Sequence, residues 1–126
     1  MSATAAKKIL IVEDDMIISM VLERMIEKLN HQIVDTITTG KGAIKAALTT
    51  SPDLILMDIQ LKDDTDGIDA MREIKKDRDI PVIYITGNSD LYNQKRAKQL
   101  GYLKYMIKPV RMDDLKEAIS NYFTGN

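Results

Sequence analysis

Asp53-Leu54-Ile55-Leu56-Met57-Asp58 is the stretch whose reading decides the fold. Four consecutive aliphatic side chains leave no solvent face, so the segment suits a strand buried on both sides, as in a parallel sheet. Pro52 bounds it on one side and polar residues follow Asp58 on the other. Asp58 then stands at the carboxyl end of a central strand, the edge where open α/β sheets hold ligands and chemistry. On this stretch alone the carboxylate serves equally well as an ordinary strand end.

Working outward, the same grammar repeats. Ile9-Leu10-Ile11-Val12 is a first buried strand that runs into Glu13-Asp14-Asp15. Met16 to Leu29 reads as a helix with Ile18, Leu22, Met25 and Leu29 on one face, capped by Asp15 and stopped at Asn30. Gln32 to Ile37 is a second strand, and Gly40 to Leu48 a short helix closed by Ser51-Pro52. Beyond Asp58 comes a polar loop from Gln60 to Gly67. A third helix carries Ile68, Met71 and Ile74 and runs to about Arg78. Pro81 opens a fourth strand, Val82 to Ile85, ending at Thr86-Gly87-Asn88. Ser89 caps a fourth helix that Gly101 stops after Leu100. Leu103 to Ile107 is the fifth strand, ending at Lys108-Pro109. A last helix opens at Met112 or Asp113, with Leu115, Ile119, Tyr122 and Phe123 spaced to face the core.

Five strands alternating with five helices predict an α/β doubly wound parallel sheet with right-handed crossovers. The chain of 126 residues holds one such domain, expected over 7–123 with short flexible tails at 1–6 and 124–126. Composition excludes several classes. Hydrophobic residues at 44% and charged ones at 29% describe an ordinary globular domain. A net charge of −1 gives no basic face for nucleic acid or anionic membrane. The absence of cysteine excludes disulfides, thiol chemistry and Cys-zinc sites. No apolar run approaches the ~20 residues of a membrane span, and no signal peptide is recognisable, so a cytoplasmic protein is expected.

A parallel sheet brings the strand ends to one edge: Glu13 and Asp14, Asp58, Thr86 and Lys108. Crowded carboxylates repel unless a cation sits among them, and a hard divalent ion such as Mg²⁺ suits oxygen donors. A metal, a lysine and a hydroxyl together suit a phosphoryl group, and a carboxylate can itself be the nucleophile. Asp58 is the candidate because its strand is the most buried.

Five stretches then match one family in order and spacing: Ile9 to Asp15, Pro52 to Asp58, Asp66-Gly67, Ile80 to Thr86, and Tyr105 to Pro109. The chain resembles the receiver domain of two-component response regulators over nearly its full length. The resemblance implies a flavodoxin-like sheet of strand order 2-1-3-4-5. It implies Asp58 as phosphoacceptor, served by a sensor histidine kinase or phosphotransfer protein. It implies Mg²⁺ held by Asp14 and Asp58, by Glu13 through water, and by the Gln60 backbone carbonyl. Lys108, Thr86 and Tyr105 would sense the phosphoryl group, Tyr105 by turning from an exposed to a buried rotamer. Gln60 and Asn88 would tune its loss, Gly87 would leave the site open, and the Lys108-Pro109 peptide would be cis. A homodimer through the fourth helix, fifth strand and fifth helix is permitted by the mixed charges of Lys95, Arg96, Lys98, Lys104, Arg111, Asp113, Asp114 and Glu117. With no attached output domain after Thr124-Gly125-Asn126, a stand-alone relay or one domain of a longer protein is expected, and no DNA binding by this segment.

Two departures stand out. Lys62 occupies the position, four after Asp58, where most receivers carry proline, and the loop to Gly67 looks one residue longer. Asp63, Asp64 and Asp66 there read as a solvated acidic loop, since charge runs usually mark solvent. An EF-hand reading fails because Lys62 would hold the first ligand position. His31 in a helix-to-strand link reads as a surface residue, and Met25, Met57, Met71 and Met106 as core packing. Rival functions are an aspartyl-nucleophile phosphatase, a flavodoxin-like cofactor binder and a degenerate, never-phosphorylated receiver. The phosphatase needs an acid where Gln60 stands, Glu13-Asp14-Asp15 would repel a cofactor phosphate, and the acceptor residues are all present against the third.

Overall fold

The computed structural model describes residues 5–88 and 90–124. Its strands are β1 (Lys8–Val12), β2 (Gln32–Ile37), β3 (Leu54–Met57), β4 (Val82–Thr86) and β5 (Lys104–Ile107). The helices α1 (Met16–Lys28), α2 (Gly40–Thr50), α3 (Gly67–Lys75), α4 (Leu91–Leu100) and α5 (Met112–Thr124) alternate with them. All strand pairs are parallel, in the order β2-β1-β3-β4-β5.

Alternation along each strand explains the layers. Leu10, Val12, Ile55, Met57, Val82 and Tyr84 point to one face, under Ala43 and Ala47 of α2, Ile68, Met71 and Ile74 of α3, and Ala97 of α4. Ile9, Ile11, Leu54, Leu56, Ile83 and Ile85 point to the other, under Leu22 and Ile26 of α1 and Leu115 and Ile119 of α5. Both faces are apolar, so between Lys8 at the start of β1 and Thr86 at the end of β4 the central strands carry only aliphatic side chains and Tyr84. β3 pairs on both sides, with β1 and with β4, which makes it central.

Several local expectations are corrected. The buried stripe of α1 is Ser19, Leu22 and Ile26, while Ile18, Met25 and Leu29 flank it half-buried. α2 continues to Thr50 and ends where Ser51 adopts a left-handed conformation. α3 stops at Lys75 with Lys76 as its cap, and the Asp77 and Arg78 N–H groups both turn back to the Ile74 carbonyl. α4 is capped by Asp90, which accepts the Asn93 N–H; Ser89, the expected cap, lies outside the described residues. Tyr122 is about half exposed rather than a core residue. Thr124, expected in a tail, is the last residue of α5, and residues 1–4 and 125–126 lie outside the described range.

His31 is the clearest correction. It is buried, and its Nδ1 accepts the Lys7 N–H at 3.0 Å. The bond ties the start of β1 to the α1–β2 turn, a long-range role that one residue in a polar link does not announce. Burial, and then the Lys7 charge, push its pKa below the usual histidine value.

Candidate functional site

The sheet register assembles the site. Val12 pairs with Met57, and the ladder continues one step as the Asp58 N–H donates to the Val12 carbonyl. Glu13 and Asp58 therefore emerge side by side. On the far side the Lys108 N–H donates to the Thr86 carbonyl at 2.8 Å, which brings the ends of β4 and β5 together. Asp15, just past the pair of acids, caps α1 by accepting the Ile17 and Ile18 N–H groups, so the chain turns sharply into the helix.

Glu13, Asp14 and Asp58 each offer a carboxylate oxygen, all within 4.8 Å of one another. Glu13 and Asp58 are buried and Asp14 is half-buried. One cation answers them: Lys108 Nζ lies 2.9 Å from Glu13 Oε1 and donates to Asp58 Oδ2 at 3.1 Å. The contact to Oε1 is an ion pair without hydrogen-bond alignment, so that oxygen keeps acceptor capacity. Burial pushes the Glu13 carboxyl up, more than Lys108 lowers it, and neighbouring Asp58 adds to the rise. Desolvation works against the Lys108 charge, yet the attraction of the Glu13 and Asp58 carboxylates outweighs it and raises its pKa. Three carboxylates against one ammonium leave the cluster short of positive charge. An all-oxygen donor set of this kind fits a hard divalent cation.

The other expected residues fall around this cluster. Gln60 is exposed, and its N–H points to Asp58 Oδ1 at 3.3 Å. Thr86 is buried, and its hydroxyl accepts the Asn88 N–H in a long 3.4 Å bond. A side chain at Gly87 would meet open space, so this flank is sterically free. Lys108-Pro109 is cis. Tyr105 is half-buried with its hydroxyl already inside, and its ring packs against Tyr84 and Tyr102 at 6.1 and 5.7 Å between centroids. Desolvation raises its pKa, with Asp90 adding to the effect.

A model of the response regulator receiver domain matches residues 9–120. The chain belongs to the response regulator receiver domain family. Among relatives of this receiver domain, transcriptional regulatory protein PdtaR of Mycobacterium tuberculosis is 34% identical over 117 residues, 93% of this chain and 57% of that protein. Phyllosphere-induced regulator PhyR of Methylorubrum extorquens is 34% identical over 121 residues, 95% of this chain and 45% of that protein. The chain thus spans about half the length of these curated relatives. The receiver domain of sensor histidine kinase PA1611 from Pseudomonas aeruginosa superposes with a TM-score of 0.83 at 30% identity, covering 97% of this chain and all of that one. That structure has a magnesium ion coordinated in its active-site cleft.

The receiver's acidic loop departs from the solvated expectation. Only Asp64 fits it, at 89% side-chain exposure. Asp63 accepts the Gly40 and Lys41 N–H groups at the start of α2, at 2.8 and 3.0 Å. Asp66 caps α3 through the Asp69 N–H and holds Arg96 of α4. Arg96 also reaches Asp69 and Asn93, so it faces α3 and is withdrawn from the dimer surface it was expected to join. Gly67 is required by close approach: a Cβ there would overlap the Asp58 carbonyl oxygen. Sequence reading had a signal for the Asp66 cap, an Asp before a helix-opening glycine. It had none for Arg96, which pairs thirty residues away.

Proposed function

We propose that this receiver domain is a phosphorylation-operated switch that accepts a phosphoryl group on Asp58 from a sensor histidine kinase or phosphotransfer protein. The observation that carries this reading is the convergence of Glu13, Asp14 and Asp58 with Lys108 bridging two of them. In the transfer, an Asp58 carboxylate oxygen attacks phosphorus, the P–N bond to the donor histidine breaks, and its electron pair leaves on the ring nitrogen. Asp14, Asp58, the Gln60 carbonyl and, through water, Glu13 would hold Mg²⁺, which would supply charge neutralisation for the phosphoryl oxygens. Lys108 follows the charge, moving its bond from the carboxylate to a phosphoryl oxygen.

The added group carries about −1.5 to −2 charge at neutral pH. Thr86 turns its hydroxyl toward it, Tyr105, whose hydroxyl already lies inside, shifts further into the vacated space, and the α4–β5–α5 surface moves between two states. Exposed Lys104, Arg111, Asp113, Asp114 and Glu117 still leave that surface able to pair two copies. Gln60 and Asn88 flank the phosphoryl position and set how water reaches it. The domain is a switch and not a turnover enzyme, because the Gln60 amide cannot act as the general acid a phosphatase needs. No helix among the described residues is long and apolar enough to cross a membrane, which suits a cytoplasmic relay.

Intact mass after incubation with acetyl phosphate and Mg²⁺ tests the reading. One phosphoryl group should add to the wild type and none to Asp58→Asn. Robust labelling of Asp58→Asn would sink the assignment. Beryllofluoride with size-exclusion chromatography reports pairing in the same samples.

A further inference from the structure

The connection between β3 and α3 carries Gln60, and it has no proline to stiffen it: the chain's three prolines are Pro52, Pro81 and Pro109. A polar segment of this length is ordered only if something holds it. Its base is closed where the Gly67 N–H donates to the Ile59 carbonyl at 2.8 Å, with Ile59 itself buried. Its far side is docked on the start of α2 by three separate contacts. Asp63 places one carboxylate oxygen on each of the first two N–H groups of that helix. The Thr65 carbonyl lies so close to Gly40 that a Cβ there would overlap it. The Lys62 N–H points at the Thr38 carbonyl at 3.4 Å. Gln60 and Leu61 therefore span a short gap between two fixed points.

We propose that Asp63 is a positioning residue for the divalent cation, fixing the Gln60 segment beside Glu13, Asp14 and Asp58 before the ion arrives. The inference rests on the proposed Mg²⁺ reading of that cluster. Asp63 touches neither the cluster nor the ion; it acts by removing the freedom that the Gln60 peptide would otherwise lose on binding. The contact is well matched, because an anionic carboxylate on unsatisfied helix N–H groups also meets the positive end of the helix. Desolvation opposes the charge, but the two N–H groups, joined by the Lys41 charge, together outweigh it and hold the Asp63 carboxyl below its usual range, so the pin stays charged at neutral pH. Asp64 supplies the internal control. It carries the same charge in the same loop, and its ion pair to Lys41, at 4.0 Å, joins two exposed side chains.

Ordering one backbone residue corresponds to roughly a tenfold change in affinity. Mg²⁺ titration by calorimetry, on folded protein without phosphodonor, should show Kd rising about five- to tenfold in Asp63→Ala. Asp63→Asn keeps one acceptor oxygen and should give an intermediate rise of about two- to threefold, while Asp64→Ala should stay within about twofold. Amide exchange of Gln60 and Lys62 without Mg²⁺ should be slower in the wild type than in Asp63→Ala. A merely structural pin would lower Tm and leave Kd alone. Wild-type-like Kd in Asp63→Ala overturns the proposal, as does an equal loss in Asp64→Ala. Should Asp63→Ala fail to fold, an unchanged Kd in Asp63→Asn overturns it instead. A wild type that takes up no Mg²⁺ defeats the underlying cation reading, a result distinct from these.

Discussion

Replacing Arg96 by methionine should loosen α4 from α3, and the structure sets the size of the effect. The guanidinium is 17% exposed and makes four bonds: 2.9 and 3.3 Å to the two oxygens of Asp66, 3.0 Å to Asp69 and 2.8 Å to Asn93. Asp66 is 30% exposed and Asp69 42%, so only the Asp66 pair is well shielded from solvent. Exposed ion pairs contribute ~0–1 kcal/mol, and breaking a buried one costs ~3–5 kcal/mol. Asp66 keeps its α3 N–H partners in the variant, the Asp69 N–H at 2.8 Å and the Ile68 N–H beside it. An intermediate cost of about 2 kcal/mol follows, or a fall in Tm on the order of 8 °C for a domain of this size. Urea unfolding measures it, and a cycle with Asp66→Asn should return a coupling of ~1–2 kcal/mol. The effect has a pH signature. Burial opposes the Asp66 charge, but Arg96 and the α3 N–H groups hold the carboxyl below its usual 3.8. That contribution is present above pH ~3.8 and is lost as pH falls through the lower folded value. The gap between wild type and variant should close there. A gap under ~0.5 kcal/mol at neutral pH, or one unchanged at the lowest pH the fold survives, would refute the reasoning.

Three further outcomes are expected. His31 is the only histidine, so one imidazole resonance reports its titration, and its apparent pKa should lie below 6.5. Because the folded form then binds fewer protons than the unfolded one, stability is intact above pH ~6.5 and declines as pH falls through the folded pKa, by no more than ~1.4 kcal/mol per pH unit. A value at or above 6.5 contradicts the buried Nδ1 acceptor. Mg²⁺ at one hundred times its Kd should stabilise the wild type by about 2.7 kcal/mol in thermal melts, and Asp14→Asn should lose most of that increment. An equal increment in Asp14→Asn would move the ion elsewhere. Gly67→Ala forces a methyl onto the Asp58 carbonyl, so it should cost at least ~1–3 kcal/mol and weaken Mg²⁺ uptake; a wild-type melt would show that the backbone approach is slack.

The strands were legible because Ile9 to Val12, Leu54 to Met57 and Val82 to Ile85 are apolar on every position, a pattern that only burial on both faces explains. Glu13, Asp14, Asp58, Thr86 and Lys108 were legible as a group for a related reason. Parallel strands end on one edge, so residues that follow them in sequence gather in space. Helix ends were harder. The cap of α4 lies at Asp90, and α3 stops at Lys75, three residues short of Arg78, with its last N–H groups doubled back on the Ile74 carbonyl. His31, Asp63, Asp66 and Arg96 were misread as solvent-facing or interface residues, since the context of a polar side chain in a loop depends on what packs over it.

The sequence by itself determined the class of fold, the order of elements and the carboxylate to which the other strand ends answer. These follow from local rules, hydrophobic period and strand direction, that operate within a few residues. Only the tertiary structure decided which charges are partners. Asp63 on α2, Arg96 on Asp66 and Lys108 on Glu13 join residues 22 to 95 positions apart. Coulomb attraction and hydrogen bonding depend on distance and burial in the folded chain, and neither can be read along it.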